Sequence, residues 1–336
     1  MGWFIRLLFT LIVGGLIVAG AVIYWSYKDL QEPGPSTADT TVVVESGTSV
    51  NGIARQLEEA GVIRDARTFG LRARFLPEGQ SLKAGEYRFP AAISAEDAMQ
   101  KMIAGDVVHY SVTVPEGLTS AQILALIAGA SDLEGSVPSA LPSEGSLLPE
   151  TYQFNRGDTR AEIVARMTQA MDDTMAELWP KRAKDLPLAT PQEAIVLASI
   201  VEKETGLAAE RPRVAAVFVN RLRQGIPLQS DPTIIYFLTG GKGPLDRSLT
   251  FGDLDKPDPY NTYLNVGLPP GPIANPGRAS LEAVLNPPST KELYFVADGT
   301  GGHAFAETLE QHNKNVANWR KVQKDKKDAG ADGTGN

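Results

Sequence analysis

Residues 190–205 read TPQEAIVLASIVEKET, which predicts the helix around which the C-terminal half of the chain is organised. Thr190 is a good N-cap, a proline follows at the first helical position, and Glu193 completes a capping box. Gly206 is a natural stop just after the last turn. Residues 194–201 are apolar or small on every face, which predicts a helix at the centre of its domain.

Two carboxylates, Glu202 and Glu204, lie in the last turn of this predicted helix. Burial raises the pKa of a carboxyl group, and such a group can hold a proton near neutral pH and act as a general acid. Each shares a helix face with apolar or small residues one turn earlier. We expect at least one of them to face a pocket or the core. The alternative is that both turn to solvent beside Lys203.

A second predicted helix spans 212–224, and Asn220 on it is a candidate to bond a neighbouring loop or a sugar. A third begins at the sequence QSDP, which contains Gln229 and Asp231. One interpretation is that Asp231 only caps this helix. The other is that both side chains line a cleft beside Glu202.

A long Pro/Gly-rich passage follows, with YNTY at 260–263 and GLPPGPIANPG at 267–277. Passages of this kind are usually functional or disordered, and the aromatic residues here favour function. Asn261 and Tyr263 offer an amide and a flat ring with a hydroxyl group. Both are therefore candidate sugar-binding residues. A buried strand is predicted at 293–297.

The composition excludes several classes of function. The 336 residues are 43% hydrophobic and 21% charged, with a net charge of −8 and no cysteine. An acidic chain argues against nucleic-acid binding, so no nucleic-acid partner is expected. No nucleotide-binding or serine-hydrolase motif occurs, and His303, Glu307 and His312 do not have metalloprotease spacing. We therefore expect neither a metal nor a cofactor.

The N-terminal segment Leu7–Trp25 carries no charged residue. Its length, roughly 28 Å as a helix, is close to that of a bilayer core. With Arg6 on the short side, this predicts a cytoplasmic tip and single-pass anchor over 1–27, with most of the chain outside the cytoplasmic membrane. The alternative is a signal peptide cleaved near 19–21. Residues 28–40, rich in Pro, Gly, Ser and Thr, are predicted to be a linker.

An internal repeat lies between the linker and the predicted central helix. VVVESGTS at 42–49 matches VTVPEGLT at 112–119, and GEYRF at 85–89 matches ETYQF at 150–154. Each match reads as a strand, a glycine turn and a capped helix, or as a returning strand. The expected modules are 41–90 and 91–185, followed by a domain at 186–322 and a disordered tail at 323–336.

The first module, 41–90, resembles a LysM module in its expected β-α-α-β order and its V-x-x-G-x-[ST] opening. LysM modules commonly bind the glycan strands of peptidoglycan or chitin. The resemblance therefore implies glycan binding here. The alternative is a structural module without a ligand.

Several motifs in order resemble the MltG/YceG family, the membrane-anchored endolytic murein transglycosylases. They are SIVEKETG (199–206), VFVNRLRQG (217–225), LQSDPTIIY (228–236), YNTY (260–263), GLPPGPIANPG (267–277), LYFVADG (293–299), GHAF (302–305) and QHN (311–313). Gln311 departs from the glutamate expected before His312. The fold implied is α+β, with the transmembrane helix, the LysM-like module, a related second α/β module and a mainly helical catalytic domain with a short sheet.

The resemblance implies cleavage of the MurNAc–GlcNAc β-1,4 bond within nascent glycan strands, leaving a 1,6-anhydro end and ending strand elongation. The family's catalytic glutamate corresponds to Glu202. It would protonate the glycosidic oxygen and later accept the 6-hydroxyl proton. Asn220, Gln229, Asp231, Asn261 and Tyr263 would bind sugar or steady the developing positive charge.

Three kinds of partner follow from this resemblance: peptidoglycan strands, the inner membrane, and peptidoglycan synthases or division proteins. Two alternatives stay open. One is a hydrolytic muramidase with Asp231 as its second carboxylate. The other is a non-catalytic membrane scaffold that binds peptidoglycan.

Overall fold

The structure is a computed structural model that describes residues 2–331. Within these residues the chain forms two units: 2–110 with 153–158, and 111–152 with 159–331. The fold mixes helices with three two-stranded sheets in the described part of the chain. Each unit is built around its own set of buried apolar side chains.

The first unit contains a long N-terminal helix followed by a β-α-α-β segment and one more helix. Its elements are α1 (Gly2–Gln31), β1 (Thr40–Val44), α2 (Val50–Glu59), α3 (Ala66–Arg74), β2 (Gly85–Phe89) and α4 (Ala95–Ala104). Strands β1 and β2 are antiparallel, with Thr40 opposite Phe89 and Val44 opposite Gly85. Alternate strand residues such as Val42 and Val44 face the buried sides of the helices, as period-two patterning requires.

Helix α1 contains the segment predicted to span a membrane. A helix that crosses a bilayer needs about 20 successive apolar residues. Among residues 2–331, no helix has both the length and the apolar character for this. The predicted transmembrane helix at Leu7–Trp25 is therefore wrong, although these residues are helical. The absence of charged residues over this segment is not sufficient evidence for a membrane-spanning helix.

The second unit begins with the second copy of the repeat and continues into a mainly helical region. The boundary between the units falls within the strands β3 (Tyr110–Thr113) and β4 (Thr151–Phe154). The other elements of the second unit are α5 (Ser120–Ala128), α6 (Arg160–Leu178), α7 (Pro191–Glu204), α8 (Arg211–Gln224), α9 (Asp231–Thr239), α10 (Phe251–Leu254), α11 (Arg278–Leu285), β5 (Tyr294–Ala297), β6 (His303–Ala306) and α12 (Leu309–Ala331). A short 3-10 helix, Trp179–Lys181, follows α6.

The two repeat copies differ between their first helix and second strand. In the first copy α3 fills this interval, whereas residues 129–150 of the second copy form no helix. The Arg160 guanidinium group instead donates to the carbonyl groups of Ala130 at 2.6 Å and Gly135 at 2.8 Å. These hydrogen bonds stabilise part of the segment 129–150, which has no helix of its own.

Helix α7 lies in the core of the second unit, and its buried residues run from Ala194 to Val201. It packs on α8 and α11. The buried hydroxyl of Ser199 accepts from the Ile273 N–H at 3.0 Å, which ties the Pro/Gly-rich passage to the helix. The central position predicted for this helix is confirmed.

The C-terminal helix, α12, is longer than the composition predicts. Residues 323–331, expected to be part of a disordered tail, continue this helix. Lysine, aspartate and alanine residues in this segment are compatible with a helix, and Lys326 donates to the Gly299 carbonyl at 2.7 Å. Residues 332–336 of the expected tail lie outside the described residues.

Candidate active site

The end of α7 places its two glutamates in different surroundings. The Thr190 hydroxyl accepts from the Glu193 N–H at 3.2 Å, so the helix begins where its cap predicts. The Glu193 carboxylate bonds the Ala189 N–H rather than the Thr190 N–H, so the capping box is only half formed. Because residues two apart on a helix point to nearly opposite sides, Glu202 and Glu204 face different neighbours.

The Glu202 side chain is 4% exposed and is held by two donors. Arg211 Nη2 donates to Oε1 at 3.2 Å, and the Gly277 N–H donates to Oε2 at 2.9 Å. Gly277 is the N-cap of α11, so this N–H belongs to the positive end of a helix. The carboxyl group is therefore fixed by one side-chain cation and one backbone donor.

A second carboxylate meets the same arginine. Arg211 Nη2 also donates to Glu116 Oε2 at 3.3 Å, and the Glu116 side chain is 43% exposed. Burial and the neighbouring Glu202 carboxylate raise the pKa of Glu116, which Arg211 opposes. A Cβ atom at Gly277 would lie 1.9 Å from Glu116 Oε1, so only glycine leaves room for this carboxylate.

Glu204 lies against the start of α9. The Ser230 hydroxyl donates to its Oε1 at 2.5 Å. Burial is the largest influence on this group, and it raises the pKa of Glu204 to about 7. Asp231 adds to the effect, whereas the Ser230 hydrogen bond and the charges of His303 and Arg221 oppose it. Glu204 can therefore exchange a proton near neutral pH.

A cavity of about 570 Å³ lies beside the C-terminal end of α7. It is lined by α5 and its N-cap, by α7 and α9, by the segment 241–249 and by Ile273. The lining residues include Thr119, Gln122, Lys203, Asp231, Tyr236 and Arg247. Neither Glu202 nor Glu204 is among its lining residues, although Lys203 between them is. The cavity is large enough for a sugar residue with its substituents.

A model of the YceG-like family matches residues 42–318. The chain belongs to this family. The YceG-like chain is 34% identical over 332 residues to a Bacillus subtilis (strain 168) protein named endolytic murein transglycosylase. That alignment covers 89% of this chain and 90% of the relative.

Two further relatives support the same assignment. A Streptococcus pneumoniae (strain D39) protein, also named endolytic murein transglycosylase, is 30% identical over 325 residues, which cover 82% of this YceG-like chain and 58% of that protein. A crystal structure of a yceG-like protein from Listeria monocytogenes aligns with a TM-score of 0.51 at 31% identity. It covers 83% of this chain and 99% of that one. The family predicted from the motifs is confirmed.

Two of the residues predicted to bind substrate lie at the start of α9. Asp231 is exposed and lines the cavity, and it accepts from the Tyr263 hydroxyl at 2.6 Å. Burial raises the pKa of Tyr263, and the contact with Asp231 adds to this. Gln229 has a φ of +53° and accepts from Arg221 Nη1 at 3.3 Å. Asp231 therefore lines the cavity, whereas Tyr263 and Gln229 are not among its lining residues.

The other two predicted residues, Asn261 and Asn220, donate hydrogen bonds to backbone carbonyl groups. Asn261 is 0% exposed, and its amide donates to the carbonyl groups of Leu254 and Lys256 at 2.8 Å each. Asn220 is 8% exposed and donates to the carbonyl groups of Thr290 and Glu292 at 3.0 Å each. With their amides bonded to backbone, these residues position loops and offer a sugar little or no surface.

Sequence reasoning missed three residues that surround Glu202: Glu116, Arg211 and Gly277. Glu116 and Gly277 lie in segments that were noted for other reasons, and Arg211 lies in no segment that was noted. VTVPEGLT was noted only as half of the repeat, and GLPPGPIANPG as a Pro/Gly-rich passage and a family motif, neither of them as a partner of Glu202. The local pattern carries no sign that these segments meet at α7.

His303 and His312 have roles in packing and hydrogen bonding. His303 Nδ1 lies 2.8 Å from Glu210 Oε2, and His312 stacks on Tyr294 with ring centroids 5.2 Å apart. Across residues 2–331, no three or more His, Asp or Glu side chains are grouped so as to hold a metal ion.

Proposed function

We propose that this chain is an endolytic murein transglycosylase, a lyase that cuts the β-1,4 bond between MurNAc and GlcNAc inside glycan strands and leaves a 1,6-anhydro-MurNAc end. Membership of the YceG-like family and the names of the bacterial relatives support this proposal. The peptidoglycan strand is the proposed substrate. The proposed site of action is outside the cytoplasmic membrane, where peptidoglycan lies.

The observation that carries the proposal is the fixed, nearly buried carboxyl group of Glu202. It is 4% exposed and bonded to Arg211 and to the Gly277 N–H. A carboxyl group that transfers protons must be held within reach of the atoms that react. The packing of α7 in the core and the two hydrogen bonds to Glu202 support this positioning, because each restricts movement of the carboxyl group.

The proposed reaction needs one acid–base group and no water. Glu202 gives a proton to the oxygen of the leaving GlcNAc as the bond from that oxygen to MurNAc C1 breaks. The MurNAc 6-hydroxyl oxygen then bonds to C1 and returns its proton to Glu202. Arg211 and the Gly277 N–H bond the carboxylate while it is ionised. The near-complete burial of Glu202 limits competition from water, which would give hydrolysis instead.

The test is a digest of purified glycan strands, analysed by mass spectrometry. We expect wild-type protein to produce internal cuts whose new ends are lighter than reducing ends by one water. Glu202→Gln should produce none while keeping the wild-type unfolding temperature. Glu150→Gln, at an exposed position, is the matched control and should stay active. Reducing ends would indicate a muramidase instead.

Full activity of Glu202→Gln would reject the assignment of Glu202. A second comparison uses a strain from which the gene is deleted. If the inactive variant restored growth there as well as wild type, a scaffold that binds peptidoglycan would explain the chain better than an enzyme. Peptidoglycan synthases and division proteins stay predicted partners, and cross-linking in the same strain carrying the wild-type gene on a plasmid allows them to be sought.

A further inference from the structure

Glu116 lies in a turn that the chain builds twice. Gly47 in the first copy and Gly117 in the second have φ values of +83° and +77°, and each precedes a helix N-cap by two residues. The residue before the glycine is Ser46 in the first copy and Glu116 in the second. The same turn therefore forms without a carboxylate, so the geometry of the loop does not explain Glu116.

Contacts that do not involve the Glu116 side chain hold this loop in place. Lys203 Nζ donates to the Gly117 carbonyl at 3.1 Å. The Gly117 N–H donates to the Asn275 carbonyl at 3.1 Å, and the Asn275 N–H donates to the Leu118 carbonyl at 2.9 Å. Because the backbone of this loop is hydrogen-bonded to α7 and to the passage before α11, the Glu116 carboxylate is not needed to hold the loop in place.

The Glu116 carboxylate shares a single cation with Glu202. Arg211 Nη2 is 3.3 Å from Glu116 Oε2 and 3.2 Å from Glu202 Oε1. Arg211 Nε is buried and bonds no acceptor in the part of the chain that the structure describes. Two charged residues adjacent in sequence to Glu202 or Arg211 have partners of their own: Lys203 donates to the Gly117 carbonyl, and Glu210 lies 2.8 Å from His303 Nδ1.

One positive charge thus faces two carboxylates that are close together. When two carboxylates share a site, the ionisation of one opposes that of the other, and the two titrate as a pair. The Gly277 N–H adds a donor to Glu202 but no full charge. The arrangement is closest to neutral when the pair holds one proton.

We propose that Glu116 is a positioning residue of the lytic reaction, which acts on Glu202 through the shared Arg211 and keeps one proton on the carboxyl pair. This inference rests on the function proposed above. The lytic reaction requires this proton on Glu202 when the glycosidic bond breaks. After Glu202 gives it to the leaving oxygen, both carboxylates are ionised against one arginine. Recovery of a proton from the 6-hydroxyl group then relieves their repulsion.

The pH profile of strand cleavage tests this role. The rate should fall at high pH as the acid loses its proton. In Glu116→Gln and Glu116→Ser, the latter carrying the residue of the sister loop, we expect this fall to occur about one pH unit lower. Glu116→Asp keeps the charge and should lie closer to wild type. Glu150→Gln is again the control.

Profiles of the Gln and Ser variants that keep the wild-type shape and midpoint, whether or not the rate is uniformly lower, would overturn the role of Glu116. A structural role alone would lower activity equally at every pH. This result would leave the proposed function standing, because anhydro ends would still form and would still require Glu202.

A double-mutant cycle gives a second readout that does not depend on activity. The free energy of unfolding of wild type, Glu116→Gln, Glu202→Gln and the double variant is measured at pH 8 and pH 4. We expect coupling between the two positions at pH 8 and a smaller coupling at pH 4, because acid lowers the negative charge that carboxyl groups carry. Absence of coupling at pH 8 would overturn the proposal. Coupling in a chain that makes no anhydro ends would reject the lytic function but retain the carboxyl pair.

Discussion

The Ser230 hydroxyl donates to the Glu204 carboxylate at 2.5 Å, which joins the end of α7 to the start of α9. Burial raises the pKa of Glu204 from 4.5 to about 7. The folded protein therefore keeps a proton that the unfolded chain releases between these values. Consequently, this group makes the free energy of unfolding fall as the pH rises from about 4.5 to about 7.

Glu204→Gln should remove this dependence, because glutamine is neutral and can still accept from Ser230. At pH 8 we expect the variant to be more stable than wild type by about 2 to 3 kcal/mol, with the difference lost near pH 4. Urea unfolding at both pH values measures this. The exposed control Glu150→Gln should show no such trend. Equal stability of Glu204→Gln and wild type at pH 8 would contradict the prediction.

Gly277→Ala should displace the Glu116 carboxylate. The φ of Gly277 is −76°, which alanine adopts readily, so any effect comes from the new Cβ atom lying 1.9 Å from Glu116 Oε1. Because a flexible side chain can swing away, we expect a cost of only about 1 kcal/mol in the free energy of unfolding. The pH profile should move as in Glu116→Ser.

Gly206→Ala is the matched control, since a Cβ atom there would meet nothing within 4 Å. The double variant Gly277→Ala with Glu116→Ser removes the clash and should recover the lost stability. A Gly277→Ala protein with a wild-type pH profile would show that Glu116 does not need its observed position.

Asn275 should be among the side chains most important for stability in the second unit. It is 0% exposed, accepts from the Leu147 N–H at 2.9 Å, and donates to the Leu118 carbonyl, Ser120 Oγ and Glu144 Oε1. Asn275→Ala would leave several buried polar groups without partners. We expect a loss of about 3 kcal/mol or more in the free energy of unfolding.

The control is Asn313→Ala, at an exposed position of α12, which should change the stability by less than about 0.5 kcal/mol. Denaturant unfolding of both variants gives the comparison. Similar, small effects of the two substitutions would show that water replaces the Asn275 bonds and that the loop carrying Glu116 is not fixed as described.

Asp231 and Asn261 should behave differently although both were predicted to bind sugar. Asp231 lines the cavity, so Asp231→Asn should raise KM for glycan strands several-fold and leave the unfolding temperature unchanged. Asn261→Ala should lower the free energy of unfolding by about 1 to 3 kcal/mol, because two buried carbonyl groups lose their donor. A fall in kcat of Asp231→Asn by orders of magnitude, with reducing ends in the digest, would favour the muramidase alternative.

The signals that the sequence carried correctly were local. Ser49, Thr119 and Thr190 cap helices because a side-chain oxygen needs only the N–H groups of the next turn. The stop at Gly225, whose φ is +65°, follows from the conformational freedom of glycine. The membrane span predicted at Leu7–Trp25 from length, flanking charge and lack of internal charge is wrong, because no helix among residues 2–331 has the length and apolar character that a span requires.

Local sequence signals predicted the helix from Pro191 to Glu204, with its apolar body and two carboxylates at its end, and the motifs identified the family. The partners of the two carboxylates could be found only from the folded chain. Glu202 is bonded to Arg211 and Gly277, and Glu204 to Ser230. Helix caps and hydrophobic periodicity depend on neighbours within a few residues, whereas a site made from distant segments forms only when the core packs them together.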